Sequence, residues 1–156
     1  MLKCLQTTGY NHQKQHTVNQ TTAALIHPTI AIIAAYNEDR FIGSVVIKSL
    51  RHVDQVIVID DGSTDHTALV AEKAGATVIR HDRNRGKAEA INTGLNRARE
   101  LNAEIVVLID ADGQHNPDQI PDLIAPIRNQ DADVVVGSRF LGVRNRIPRW
   151  RVVGQH

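Results

Sequence analysis

From residue 29 onward the chain alternates between two kinds of hydrophobic pattern. Five runs are apolar and rich in β-branched residues: Thr29–Ala35, Gln55–Asp60, Thr77–Arg80, Ile105–Asp110 and Asp133–Gly137. Runs that are nearly continuous, rather than alternating, predict strands covered on both faces. Between them apolar residues recur at helical spacing. Ile42, Val45, Val46, Ser49 and Leu50 form one stripe, and Ala68, Ala71 and Ala74 a weaker one. Ile91, Leu95, Ala98 and Leu101 form a third, and Ile120, Leu123, Ile124 and Ile127 a fourth. Strands alternating with helices predict an α/β fold built on a mostly parallel sheet with right-handed crossovers. The punctuation agrees: Gly75 is placed to stop the second helix, Ser63 or Thr64 to cap its start, and Asp118, after Pro117, to favour the first turn of the fourth.

The flanks have a different character. Residues 1–27 are polar and amide-rich (Gln6, Asn11, Gln13, Gln15, Asn19, Gln20) and are expected to be a disordered leader. His12, His16 and His27 have no spacing that fixes a metal site and read as part of that solvated stretch. The folded domain is expected over 28–138. Residues 139–156 form a basic tail, with Arg139, Arg144, Arg146, Arg149 and Arg151 and no acidic residue. The pattern stops at His156 without a closing helix or strand, so the domain reads as unfinished.

Composition narrows the classes. The length of 156 residues suits one domain, and a net charge of +1 gives no reason to expect a nucleic-acid partner. A single cysteine, Cys4, excludes a disulfide framework and a cysteine-based zinc site, which makes the cytoplasm the default compartment. The longest apolar run, Ile30 to Tyr36, falls far short of the roughly 20 residues of a spanning helix.

In an open parallel sheet ligands bind beyond the carboxyl ends of the strands. Three of those ends are unusually polar: Ala35-Tyr36-Asn37-Glu38, Asp60-Asp61-Gly62-Ser63 and Asp110-Ala111-Asp112. An Asp-rich turn alone can simply end a strand, but three converging turns gather carboxylates that resist desolvation unless a cation joins them. Asp110 and Asp112 point to the same side of an extended segment, with Ala111 turned away. Their oxygens, with the amide of Gln114 and the imidazole of His115 nearby, suit Mg2+ or Mn2+ bridging the phosphates of a nucleotide. Tyr36 is placed to flank a base, and Asp60 or Asp61 to accept a hydrogen bond from a base or ribose. Arg83, Arg85 and Lys87 surround Gly86 at a helix start, where phosphate is favoured. Walker spacing is absent.

Taken in order, AYNE (35–38), DDGSTD (60–65), NRGKAEAINTG (84–94), DADGQHNPD (110–118) and GSR (137–139) resemble family 2 of the inverting glycosyltransferases. The resemblance covers about Thr29 to Trp150 and is strongest with the polyprenyl-phosphate sugar transferases, the group that contains dolichyl-phosphate mannosyltransferase. It implies a Rossmann-like GT-A domain of about five strands in the order 3-2-1-4 plus an edge strand, with helices on both faces. Ala35, Tyr36, Glu38, Val58, Asp60, Asp61, Lys87, Asp110, Ala111 and Asp112 would then bind the nucleotide. Asp110, Asp112 and Gln114 would hold the metal, and Asp112 and Arg139 would serve the transfer itself.

The implied reaction moves a hexose from a UDP- or GDP-sugar to a polyprenyl phosphate with inversion, at the cytoplasmic face of the membrane. Members of the family normally continue past Gly-Ser-Arg into an acceptor segment, so the chain is expected to be truncated there. That leaves two alternatives: a fragment that only binds nucleotide and metal, and a transferase acting on a saccharide hydroxyl. A lipid phosphate is already anionic and needs no general base, which favours the phosphate acceptor when the segment that carries the base is missing. A sugar-phosphate nucleotidyltransferase would carry a glycine-rich basic loop after its first strand, where this chain has Tyr-Asn-Glu. A phosphatase with an aspartate nucleophile would carry Asp-x-Asp near the first strand rather than the fourth. Peripheral membrane contact by the basic tail, and self-association through an uncovered sheet edge, are further expectations.

Overall fold

The computed structural model describes residues 3–6 and 27–137. Six strands form one sheet: β1 (Lys3–Gln6), β2 (Thr29–Ala35), β3 (Gln55–Asp60), β4 (Thr77–Arg80), β5 (Ile105–Asp110) and β6 (Val134–Val136), in the order β4-β3-β2-β5-β1-β6. Strands β4, β3, β2 and β5 run parallel, in the 3-2-1-4 order expected when strands are counted from Thr29. Helices α1 (Asp39–Ser49), α2 (Thr67–Lys73), α3 (Lys87–Glu100) and α4 (Ile120–Arg128) follow the parallel strands, with a short 3-10 turn, Pro117–Gln119, leading into α4.

The amino-terminal stretch departs from expectation. Lys3–Gln6, assigned above to a disordered leader, is a strand lying antiparallel to both β5 and β6. Cys4 is fully buried and belongs to the core. Four residues are too few for periodicity to reveal, and the strand is held by backbone pairing on both sides rather than by its own composition. It also separates the final strand from β5, so β6 forms the sheet edge without pairing with the parallel block.

Alternation along the strands divides the core in two. On one face Ala31, Ile33 and Ala35 of β2, Val56 and Val58 of β3, and Val107 and Ile109 of β5 pack against Ile42, Val45 and Val46 of α1, Ala71 of α2 and the Ile120, Leu123, Ile124 and Ile127 stripe of α4. On the other face Ile30, Ile32, Ile57, Ile59 and Val106 meet α3 through Ala90 and Ala98. The buried line of α3 is Ala90, Gly94 and Ala98, with Ile91, Leu95 and Leu101 half-buried at its flanks. Small residues let the helix backbone approach the sheet: a Cβ at Gly94 would stand 2.4 Å from Ile32 Cγ2. The larger residues predicted as the stripe flank the contact because the centre has no room for them.

Two caps also differ from expectation. Neither Ser63 nor Thr64 caps α2, which begins at Thr67; the Asp65 carboxylate accepts from the Thr67 N–H at 2.9 Å. Asp118 lies in the 3-10 turn, where its own N–H is capped by the Asn116 side chain and its carboxylate meets His52 Nε2 at 3.0 Å. Gly75 follows α2 with φ +101°, a left-handed stop as predicted.

Candidate active site

Parallel pairing brings the carboxyl ends of β2, β3 and β5 to one edge of the sheet, and the loops that leave them are tied to one another. After β2, the Asn37 N–H donates to Ser63 Oγ (2.9 Å) and the Glu38 N–H to Thr67 Oγ1 (2.8 Å). Asn37 Oδ1 accepts from the Thr64 N–H at 2.8 Å, with Asn37 itself at φ +55°. This conformation is tolerated by asparagine better than by most residues. These bonds fix Tyr36 and Glu38 relative to the Asp60–Asp65 loop.

The two adjacent aspartates, equivalent candidates from sequence, have different surroundings. Asp60 is fully buried and points to the face that carries α1 and α2. Its Oδ1 accepts from the Ser63 N–H at 3.0 Å. Its Oδ2 lies 3.2 Å from Arg80 Nε, an ion-pair distance, although the two are not aligned as a hydrogen bond. Asp61 lines the cleft instead. Its Oδ1 accepts from His81 Nδ1 (2.7 Å) and the Arg85 N–H (2.9 Å), and its Oδ2 from the Gly86 N–H (2.8 Å). Burial acts to raise the Asp61 pKa, but the hydrogen bonds from Arg85, His81 and Gly86 outweigh it and hold the carboxyl below its usual range.

Gly62 makes this arrangement sterically possible. It sits at φ +76°, and a Cβ there would lie 2.5 Å from the Arg83 carbonyl carbon and 2.7 Å from Asn84 N. The Asp-Asp-Gly turn and the loop before α3 are therefore in backbone contact. That loop ends at Gly86, the N-cap of α3, with φ +93° and ψ +154°, a region essentially reserved for glycine.

Across the cleft, Lys87 Nζ at the start of α3 reaches Asp110 Oδ1 at the end of β5, 2.5 Å away. Burial tends to raise the Asp110 pKa; the hydrogen bond and charge of Lys87 lower it, and the net direction is downward. His115 Nδ1 stands 3.7 Å from Asp110 Oδ2. Asp112 Oδ1 accepts from the Gln114 N–H at 2.9 Å. Glu38 is shifted the opposite way: burial first, then the charges of Asp112 and Asp65, raise its pKa. The site thus holds carboxylates close enough to repel.

The cleft has a volume of about 320 Å3. Eight of the residues proposed from sequence line it: Ala35, Tyr36, Glu38, Asp61, Lys87, Asp110, Ala111 and Asp112. Ala34, Asn84 and Ala90 line it as well. Val58 is not at the cleft; it is fully buried among the apolar residues facing α1 and α2, because its place in β3 turns it to that side. Asp60 is likewise turned away, and Gln114 is exposed outside the lining. Arg139 lies outside the described residues. Among the described residues no group of three or more His, Cys, Asp or Glu side chains is arranged to hold a metal ion. His81, which anchors Asp61, carried no signal in the sequence: it belongs to no motif, and only the folded register brings it to Asp61.

Known proteins are similar to this chain in sequence and in architecture. The family model described as Glycosyl transferase family 2 matches residues 30–154. The UDP-N-acetylglucosamine–dolichyl-phosphate N-acetylglucosaminyltransferase of Methanococcus voltae is 40% identical over 127 residues, covering 70% of this chain and 51% of that protein. The dolichol-phosphate mannosyltransferase of Pyrococcus furiosus is 34% identical over 91 residues, covering 56% and 25%. Among solved structures, glucosyl-3-phosphoglycerate synthase from Mycobacterium tuberculosis, in complex with Mn2+, UDP-glucose and phosphoglyceric acid, superposes with a TM-score of 0.56 at 31% identity, covering 72% of this chain and 45% of that one. The same synthase has been solved with Mg2+ and UDP. The chain spans about half the length of the curated relatives it matches over most of its folded region.

Proposed function

The chain belongs to glycosyl transferase family 2, and from that premise we propose that it forms the donor half of an enzyme that transfers a hexose from a nucleotide diphosphate sugar to a polyprenyl phosphate, with inversion. The observation that carries this reading is the cleft itself, where Tyr36, Glu38, Asp61, Lys87, Asp110 and Asp112 meet at the carboxyl edge of the sheet. Relatives named as polyprenyl-phosphate sugar transferases support the lipid-phosphate acceptor. The reaction would take place at the cytoplasmic face of the membrane, with the acceptor held by residues from 138 onward, among them Arg139.

The cleft suits each part of a donor. Tyr36, nearly half exposed at its edge, offers a ring face to a base. Asp61, kept ionised and acceptor-only, suits a base or ribose that presents an N–H or O–H. Lys87 and the start of α3 favour the diphosphate. The donor set fits a hard divalent cation. Asp110 and Asp112 both line the cleft beside Glu38, whose pKa is raised first by burial and then by the charges of Asp112 and Asp65, the part a cation would relieve. Two carboxylates with the remaining positions left to donor phosphate and water is an ordinary Mg2+ or Mn2+ arrangement. Asp110 and Asp112 would hold the ion, which supplies neutralisation of charge on the departing diphosphate. To reach that arrangement Asp110 must exchange Lys87, and the freed ammonium is then available to donor phosphate. The acceptor phosphate oxygen bonds to the anomeric carbon as the bond to the donor's β-phosphate oxygen breaks. Already anionic, it needs no general base.

Calorimetry with UDP and GDP, each with and without Mn2+, tests the donor site; heat from neither nucleotide would remove the reading. In Asp112→Ala the metal-dependent gain in affinity should vanish. Radiolabelled sugar transfer to a short polyprenyl phosphate, with phosphoglyceric acid as the competing acceptor, tests the acceptor class. Binding without transfer to either would leave the chain a binding fragment.

A further inference from the structure

His81 contributes nothing to the cleft wall, yet it is 7% exposed and hydrogen-bonded through three of its atoms. Its backbone N–H donates to the Asp60 carbonyl at 2.9 Å. Its ring bridges two elements: Nδ1 lies 2.7 Å from Asp61 Oδ1, and Nε2 lies 3.0 Å from Thr93 Oγ1 in the middle of α3. An ionised carboxylate only accepts, so the Nδ1–H donates to Asp61. Thr93 Oγ1 pins the second ring nitrogen and also lies 3.1 Å from the Glu89 carbonyl, its single hydroxyl proton serving one of the two at a time. The ring plane is thereby set by two partners on different elements.

We propose that His81 is a positioning residue for the nucleotide site: through Asp61 it fixes the loop that presents Gly86 and Lys87. Asp61 receives three N–H donors from two segments, the His81 ring and the Arg85 and Gly86 amides. Only the ring can orient the carboxylate independently of that loop. With the ring bond in place, Asp61 Oδ2 turns to Gly86, and the next residue, Lys87, reaches across to Asp110. The direct contacts run from the end of β4 to the end of β5. An apolar residue would fill the same buried volume without desolvating a polar ring, so core packing alone gives no reason for histidine here. This inference rests on the nucleotide-site reading above and adds a residue that the cleft geometry alone does not include.

Three variants of the full chain test it: His81→Leu, which keeps bulk and removes both ring nitrogens; His81→Asn, which keeps an N–H directed at Asp61; and Thr93→Val, which removes the second anchor. Each is measured by calorimetry with UDP and with GDP in Mg2+, together with its thermal midpoint. His81→Leu is expected to bind roughly tenfold or more weakly, the usual weight of a hydrogen bond to a charged group. His81→Asn should recover to within roughly threefold of the wild type on the same scale, and Thr93→Val should lose roughly three- to tenfold with its midpoint little changed. If His81→Leu does not fold, Thr93→Val and His81→Asn decide. Wild-type affinity in His81→Leu or Thr93→Val overturns the inference, as does His81→Asn binding no better than His81→Leu. A wild-type chain that binds neither nucleotide overturns the donor-site reading and this inference together, an outcome distinct from all of these.

Discussion

Gly62→Ala separates a steric requirement from a merely conformational one. The residue sits at φ +76°, where an alanine costs about 1–2 kcal/mol relative to its preferred backbone. Its new methyl would also stand 2.5 Å from the Arg83 carbonyl carbon and 2.7 Å from both Arg83 Cα and Asn84 N. Those are backbone atoms, which cannot swing aside as a side-chain tip can, so a further overpacking cost of about 1–3 kcal/mol follows. Gly86→Ala is the matched control: φ is +93°, but a Cβ there meets nothing within 4 Å. It carries only the conformational cost, about 1–3 kcal/mol. Gly62→Ala should therefore lose about 2–5 kcal/mol in all, against about 1–3 kcal/mol for Gly86→Ala. Urea unfolding followed by circular dichroism gives both values, provided the slopes agree. A loss for Gly62→Ala no larger than the conformational cost alone, about 1–2 kcal/mol, would refute the steric argument.

Gly94→Ala gains helix propensity of about 1 kcal/mol, but its methyl falls 2.4 Å from the fully buried Ile32, so thermal melts should show net destabilisation. Lys87→Ala should change stability by less than about 1 kcal/mol, because its pair with Asp110 is partly exposed. Calorimetry should show it weakening UDP much more than uridine; equal losses would argue against a diphosphate contact. Asp61 has a folded pKa below its unfolded value, so its contribution to stability is present above about pH 4 and is lost as pH falls through the depressed folded value. In acid titrations of unfolding, Asp61→Asn should flatten that part of the profile; an unchanged slope would show that other carboxylates dominate it.

The parallel block was legible because buried strands and amphipathic helices leave long periodic patterns. Ile42, Val45 and Val46, and the Ile120–Ile127 stripe, pack where their spacing predicts. The cleft was legible because its residues lie at strand ends, where polar character interrupts an apolar run. What remained hidden depends on register or side-chain direction. Asp60 and Asp61 read alike in one dimension, and a one-residue step sends one under α1 and α2 and the other to the cleft. Val58 went astray for the same reason. His81 and Asp61 are 20 residues apart and meet through the pairing of β3 with β4. The small-residue line of α3 was obscured because propensity and periodicity favour its larger neighbours, whereas closeness to the sheet favours glycine and alanine. Strand β1 escaped notice because its four residues contribute almost nothing a window can average.

That strand has a consequence for the order in which the molecule can assemble. Lys3 pairs with Leu108 and with Val136, so Lys3–Gln6 leaves the ribosome before every other element of the sheet and waits for both its neighbours. The parallel block can form from successive strand–helix–strand units, each closing a short loop, whereas this insertion must close loops of about a hundred residues and is correspondingly slow. In the interval the outer edge of β5 stands open, a template for any passing strand. Recovery of folded protein should therefore depend on this late pairing, and bulky additions beside Lys3 should depress it more than equal additions to the turns between helix and strand.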